Sequence, residues 1–395
     1  MPAPAAQRDQ GGRPPRICYF GTYSDQQGYP MNRVLLAGLA AAGAQVIPCH
    51  ERVFADAADK MAGVGRGGLG RALRLAAAWL RLARKFAALP DYDVLVVGYL
   101  GHLDIFLARF LGLFRPRPVV LNALISLHDT VVTDRGLVRP GTLAARTLAW
   151  IDRTAFRLAD RVLIDTHAHG RFLAARHGIP AHKWLRVPVG ADPEGLPDDP
   201  PPAPGGDPLT VLYFGTYIAL HGVPTILDAA RRLADRRDIR FVLVGRGQEL
   251  DAMRALADGQ PNITFDPRWV ARAELLGIIA GADLVLGVFG SGGKAGRVVP
   301  CKVFDGLAMA RPVITADTEA AREFLTDANA VLVPPGDGAA LARAIAALAD
   351  DPVRRAALAA AGHALFRSTF DARRIGADLL AALADGELAR TRRRA

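Results

Sequence analysis

The sequence predicts an α/β protein made of two Rossmann-like halves joined by a proline-rich linker. Three observations carry this. Short apolar runs alternate with longer segments of helical spacing through both halves, the pattern of parallel strands and crossover helices. The pentapeptide Tyr-Phe-Gly-Thr-Tyr occurs at 19–23 and again at 213–217, each time heading such a series. Between the two series, ADPEGLPDDPPPAPGGDP (191–208) is rich in Pro and Gly and has no apolar period. The expected organisation is a disordered leader (1–15), a first domain (16–190), the linker (191–208), a second domain (209–370), and a C-terminal helix with a basic tail (371–395) that crosses back to the first domain.

In order, 17–23 reads as a strand. Residues 31–42 form a helix with Val34, Leu35 and Leu39 at helical spacing, and 45–49 form a second strand. The loop SDQQGYPMN, with Gly28, follows the first strand, where open α/β sheets bind ligands. Residues 66–88 interleave Arg66, Arg71, Arg74, Arg81, Arg84 and Lys85 with Leu69, Leu73, Trp79, Leu80, Leu82 and Phe86. Such a basic amphipathic helix is either a membrane-surface element or a packed helix with a solvated basic face. Strands follow at 93–98, 119–126, 161–165 and 184–189, with helices at 105–113, 142–158 and 168–177. The second half restarts with strands at 213–217, 241–244, 263–265, 284–288, 312–315 and 331–333. Its helices are 225–234, 273–280, 339–349, 352–366 and 372–384.

Composition bounds the function. The chain has 395 residues, 51% hydrophobic and 22% charged, which suits two ordered domains. A net charge of +10 suits anionic partners of several kinds. Cys18, Cys49 and Cys301 are scattered, without a CxxC pair, which argues against a disulfide framework or a zinc site and for a reducing cytosol. The N-terminus lacks the apolar core of a secretory signal, and charges interrupt every run that approaches a membrane span. No aromatic-basic platform for nucleic acid is present, so nucleic acid is not an expected partner.

The most informative stretch is GSGGKAGRVVPCKVFDGLAMARPVITAD (290–317). A glycine-rich loop with Gly293, Lys294 and Arg297 leads through Pro300 into a helix bearing Lys302 and Asp305. Loop amides, helix dipole and cations together favour an anion such as phosphate. Asp305, about one turn into the helix, is placed to accept hydrogen bonds from sugar hydroxyls. The plainer reading is a βα turn with solvated cations.

From 213 to 335 the chain resembles the GT-B glycosyltransferases of family 4. The pieces are FGTYIALHGV (214–223), FVLVGRGQE (241–249), ADLVLGVF (282–289), PCKVFDGLAMARPVIT (300–315) and NAVLVPPGD (329–337). The resemblance implies a GT-B fold, with transfer of a sugar from a nucleotide-diphosphate donor with retention of configuration. It places the donor in the second domain, the acceptor in the first, and the reaction in the cleft. It implies no metal and no cofactor; Asp91-Tyr92-Asp93, the only DxD, reads as a turn before a strand. Donor contacts are expected from Gly215, Thr216, His221, Gly245, Gly247, Gly293, Lys302 and Asp305. Arg268, Trp269 and Val270 are expected near the base, where Trp269 is either a stacking platform or a core residue. His128 and Asp129 are the first-domain candidates for catalysis, and Gly21, Tyr23 and Gly28 for the acceptor side.

Three positions depart from the family pattern. Asp305 stands where the second Glu of an E-x7-E pair is usual, and Arg297 where the first is. Thr216 and His221 replace the usual Arg and Lys that neutralise the diphosphate. Lys294, Arg297 and Lys302 are the cations placed to take over that charge. The expected partners are a nucleotide-sugar donor, a glycan or lipid-linked acceptor, and an anionic membrane surface. The expected location is cytoplasmic, peripheral at the inner face of the membrane. The competing readings are a nucleotide-sugar epimerase of the same fold, and an inactive GT-B module that only binds partners.

Overall fold

The computed structural model describes residues 13–25, 30–53 and 69–388. Residues 1–12, Gly28, Arg66 and the basic tail from 389 onward lie outside the described residues. The chain divides into two compact units, Met1–Pro188 with Ala372–Ala395, and Val189–Asp371.

The first unit holds six strands: β1 (Arg16–Gly21), β2 (Gln45–His50), β3 (Val94–Val97), β4 (Val119–Asn122), β5 (Arg161–Ile164) and β6 (Trp184–Arg186). They form one parallel sheet in the order β2-β1-β3-β4-β5-β6, with Ile17 of β1 opposite both Val46 and Val94. Strands such as VLVV and VVLN are apolar on both sides because helices cover both faces. Those helices are α1 (Met31–Ala41), α2 (Leu69–Ala87), α3 (Asp104–Leu111), α4 (Leu143–Leu158) and α5 (His167–His177). Thr142 and Thr166 cap α4 and α5 by accepting from the third amide on, as their side chains allow.

The second unit repeats the plan. Its strands are β7 (Leu209–Phe214), β8 (Ile239–Val244), β9 (Ile263–Asp266), β10 (Leu284–Leu286), β11 (Val313–Ala316) and β12 (Val331–Val333). The sheet is again parallel, in the order β12-β11-β10-β7-β8-β9. Its helices are α6 (Val223–Arg232), α7 (Leu250–Leu256), α8 (Arg272–Ala280), α9 (Cys301–Ala308), α10 (Glu319–Arg322), α11 (Gly338–Ala349) and α12 (Pro352–Leu365). In each unit the chain leaves the first strand to one side and later returns to the other. The topological switch point therefore lies between β1 and β3 in one sheet and between β7 and β10 in the other, the usual ligand position.

The last helix, α13 (Ala372–Leu383), returns to the first unit. It buries Ile375 and Leu379 in the cluster that also holds Val34, Leu35 and Leu39 of α1. Gly38 and Gly376 face each other so closely that a Cβ on either would overlap backbone of the opposite helix.

Several sequence expectations are corrected here. The strand read as 119–126 ends at Asn122, because Leu124 turns into the left-handed region and the next residues bond to α4. The supposed loop after it is a π-helical turn, Asp129–Asp134. Helices α7 and α10 are short and went unforeseen; α10 is one turn, capped by the Thr318 hydroxyl. In α2 the aromatic residues face protein. Trp79 Nε1 donates to Asp104 at 2.9 Å, and Phe86 is buried with Leu82 under the sheet. Arg81 and Lys85 are both paired with Glu51. Part of the proline-rich stretch is fastened: buried Arg311 donates to the carbonyls of Pro201 and Pro202 at 3.0 and 3.1 Å.

Candidate functional site

At the carboxyl end of β7 the chain turns sharply at Gly215, whose φ of +134° suits glycine alone. A second turn after β8 presses against it: a Cβ at Gly245 would overlap the Gly215 carbonyl, and one at Gly247 the backbone of Tyr217. Tyr217 N donates to Arg246 O at 3.2 Å, and Glu249 N returns to Tyr217 O at 3.2 Å. The His221 carbonyl accepts from Phe289 N at 3.0 Å, which joins this edge to the start of the glycine-rich loop.

Lys302 enters from the first turn of α9, across the switch point. It is 4% exposed, and its Nζ lies 4.1 Å from the Tyr213 ring centroid and 3.3 Å from His221 Nδ1. Tyr213 Oη stands 2.9 Å from the same Nδ1 and donates to Thr216 O at 3.1 Å. Among the described residues no carboxylate pairs with Lys302. Burial therefore pushes its ammonium well below the usual lysine range. A desolvated cation at the ligand edge of a sheet can receive an anion.

The other predicted residues of this unit are placed differently. Asp305 is buried and its carboxylate meets Arg272 Nη1 at 2.9 Å; burial raises its pKa against the pull of that arginine. Arg272 also donates to Asp192 O at 2.8 Å, so this carboxylate is tied through α8 to the segment that opens the unit. No motif in the sequence pointed to Arg272. Lys294 and Arg297 bound a short 3-10 turn, half-buried, with Gly293 packed near the Arg297 guanidinium. Arg268 is held by Asp266 at 2.7 Å and Glu274 at 2.9 Å. Beside it Trp269 is 52% exposed, so the core reading of that tryptophan is wrong, and Val270 is half-buried.

In the first unit His128 Nδ1 lies 3.0 Å from Arg176 Nη2, at the last turn of α5. Burial, then that arginine, hold the imidazole below its ordinary pKa. Asp129 is buried, and its amide donates to Ser126 Oγ. The residue that organises this turn is Asp152 of α4, which the sequence did not single out. It accepts from Ser126 Oγ at 2.6 Å and from the amides of Leu127 and His128 at 2.9 Å each. Burial nevertheless raises its pKa to about 7.

The folded chain thus keeps a proton on Asp152 that the unfolded chain releases near pH 4. Stability at this site falls as pH rises from about 4 to 7, by about 1.4 kcal/mol per pH step. Urea unfolding should show up to about 3 kcal/mol of such loss between pH 5 and 7. Asp152→Asn should remove it; an unchanged slope in the variant would refute the assignment.

Gly21 (φ +129°) closes the first copy of the pentapeptide turn, and Tyr23 is buried, stacked on His50 with ring centroids 4.1 Å apart. Tyr23 is therefore a packing residue, not an exposed contact. Asp91 and Asp93 pair with Arg117 and Arg13 at the start of β3, the edge opposite the ligand end. Among the described residues no group of three or more His, Cys, Asp or Glu could hold a metal ion.

A profile of the family Glycosyl transferases group 1 matches residues 208–351. The chain is similar to the phosphatidyl-myo-inositol mannosyltransferase of Mycobacterium leprae (strain TN). The two are 29% identical over 195 residues, covering 46% of this chain and 51% of that protein. It is also similar to a GDP-mannose-dependent monoacylated alpha-(1-6)-phosphatidylinositol monomannoside mannosyltransferase of Corynebacterium glutamicum. There the identity is 30% over 135 residues, 33% of this chain and 35% of that protein. The chain thus spans about half or less of the curated relatives it matches. In fold it is similar to Anabaena Alr3699/HepE in complex with UDP, with a TM-score of 0.65 at 17% identity over 94% of this chain and 100% of that one. Sucrose-phosphate synthase from Thermosynechococcus elongatus gives 0.62 at 15% identity, over 94% and 99%. The chain has the GT-B fold, and its residues 208–351 match the glycosyl transferases group 1 family.

Proposed function

We propose that the protein is a glycosyltransferase that takes a sugar from a nucleotide-diphosphate donor and passes it, with retention of configuration, to a lipid-linked or glycan acceptor. The observation that carries this is Lys302: a buried ammonium without a carboxylate partner, at the switch point of a parallel sheet, beside a glycine turn and a helix N-terminus. That arrangement suits a diphosphate leaving group, whose charge grows as the sugar departs. With Thr216 and His221 where cations are usual in the family, Lys302 supplies the positive charge, with Lys294 and Arg297 as contributors. Exposed Trp269 suits stacking on the donor base. Catalysis then rests on positioning and electrostatics, with no protein nucleophile and no metal.

The acceptor side belongs to the first unit in this reading. By their names, both curated relatives act on phosphatidylinositol lipids. No helix among the described residues is long and apolar enough to cross a membrane. Leu80 of α2, Trp150 of α4, and Leu113 and Phe114 after α3 are exposed, Phe114 by 74%. Exposed Arg84 and Arg146 accompany them. This suits peripheral attachment to an anionic bilayer, at the inner face of the cytoplasmic membrane.

A thermal-shift panel of UDP-, GDP- and ADP-sugars tests the donor reading, because a bound ligand raises the melting temperature by mass action. The expected result is a shift with one base, release of the nucleoside diphosphate as the sugar passes to added acceptor lipid, with or without EDTA, and co-sedimentation with anionic vesicles. No shift with any nucleotide would overturn the reading. Binding without transfer or donor hydrolysis would favour the inactive-module alternative, which Arg297 in place of a usual acid keeps in view.

A further inference from the structure

We propose that residues 192–202 form a strap coupled to the donor site through Arg272, a positioning residue that divides its guanidinium between the strap and the Asp305 carboxylate. The proposal rests on the donor reading above and adds a conformational response to it.

Composition marks this stretch as a flexible linker, yet it lies along α8 and is fastened at both ends. At its start the Asp192 carbonyl accepts from Arg272 Nη2 at 2.8 Å, at the first residue of α8. Further on, a Cβ at Gly195 would lie 3.5 Å from Leu276 Cδ1, in the next turn of the same helix. At its end the Pro201 and Pro202 carbonyls accept from Arg311 at 3.0 and 3.1 Å. Arg311 also donates to Ala280 O, the last residue of α8, at 2.7 Å, and to Met309 O, just past α9, at 3.0 Å. A buried cation suits the carbonyl ends of two helices. This end is therefore a fixed anchor.

The other end is shared with the site. Arg272 Nη1 meets Asp305 Oδ1 at 2.9 Å, and both residues are buried. Among the described residues no other hydrogen bond or ion pair reaches the Asp305 carboxylate, so Oδ2 keeps lone pairs for a donor. Burial works against charge on Asp305, and the Asp192 carboxylate adds to it. A ligand hydroxyl that donates to Oδ2, as the ribose of a nucleotide can, favours the ionised carboxylate. That strengthens its pair with Arg272 and fixes the guanidinium, whose other arm holds the strap. Ligand binding therefore tightens the turn after Asp192. By linkage, a strap held at Arg272 raises affinity for the ligand by the same factor. The turn carries its own reporters: Glu194 N donates to Asp192 Oδ1 at 3.2 Å, and Leu196 N to Pro193 O at 3.3 Å.

Hydrogen-exchange mass spectrometry on the full chain, read over Glu194 to Leu196, tests this with UDP, GDP and ADP at saturation measured by calorimetry. The 2′,3′-dideoxy forms keep base and diphosphate but lack the ribose hydroxyls, and serve as the control. The diphosphate that binds should slow exchange there about tenfold, a typical coupling between sites. Its dideoxy form should leave exchange unchanged, which a merely structural strap would not distinguish. Arg272→Met combined with Asp305→Asn, which leaves no bare carboxylate at 305, should exchange fast in this segment with and without ligand. The wild-type comparison stands whether or not that variant folds. Exchange unchanged by the bound diphosphate, equal protection by its dideoxy form, or protection that survives in the variant would overturn the proposal while leaving the donor reading intact. Failure of the wild type to bind any of the three diphosphates would overturn the donor reading and the proposal with it.

Discussion

Lys302→Met is expected to weaken nucleoside diphosphate binding roughly 10- to 100-fold and, at the same time, to make the protein more stable. The two effects have one cause. In the free protein the ammonium is desolvated between Tyr213 and His221 with no acid to compensate it. Replacing it by an apolar group of similar length removes that desolvation cost. In a unit of this size each kcal/mol raises the melting temperature by about 2–4 °C. Binding moves the other way. A charge-assisted hydrogen bond to phosphate contributes about 1.5–3 kcal/mol, a loss of roughly 10- to 100-fold in affinity. Thermal unfolding and calorimetry on the same samples measure both. A variant that melts lower, or that binds diphosphate as well as the wild type, would show that Lys302 is structural. The wild type should also take up protons on binding, because an arriving anion restores the lowered lysine pKa. Affinity should accordingly fall as pH rises above the lowered pKa, and the variant should lack that dependence.

Gly376→Ala is expected to loosen the C-terminal helix, although helix propensity argues the opposite. In an isolated helix the change would stabilise by about 1 kcal/mol. Here α13 crosses α1 with Gly376 on Gly38, and a methyl would overlap the Gly38 carbonyl. The obstacle is backbone, which cannot rotate aside as a side chain can. The helices must separate, and the apolar contacts of Ile375, Leu379 and Leu383 weaken with them. Overpacking costs about 1–3 kcal/mol before those losses are added, so a net destabilisation of at least about 2 kcal/mol is expected. Urea unfolding and faster proteolysis of the C-terminal segment would register it. A variant as stable as the wild type would mean the crossing is looser than the structure shows.

Much of the fold was legible because its signals are local. Runs such as VLVV and VVLN announce strands covered on both sides, and the repeated pentapeptide marked the head of each sheet. The anion site was legible only as a neighbourhood. Lys302 and His221 are 81 residues apart, and nothing in either segment says that their nitrogens lie 3.3 Å from each other. Asp305 shows the converse. Its place in the helix suggested a free acceptor for sugar hydroxyls, yet Arg272, from a helix without a motif, neutralises it. Trp79 and Phe86 looked like membrane-facing aromatics because amphipathicity shows that a helix has an apolar face, not what covers it.

By itself, the sequence determined the alternation of strands and helices, the twofold plan and the glycine turns, because periodicity and backbone sterics act over a few residues. Only the tertiary structure decided which charge sits under which turn. Asp104 and Lys302 stand far along the chain from the glycines they back, and parallel strands reach their neighbours only through long crossovers. The charge beneath each turn is a long-range contact, and a linear pattern does not specify it.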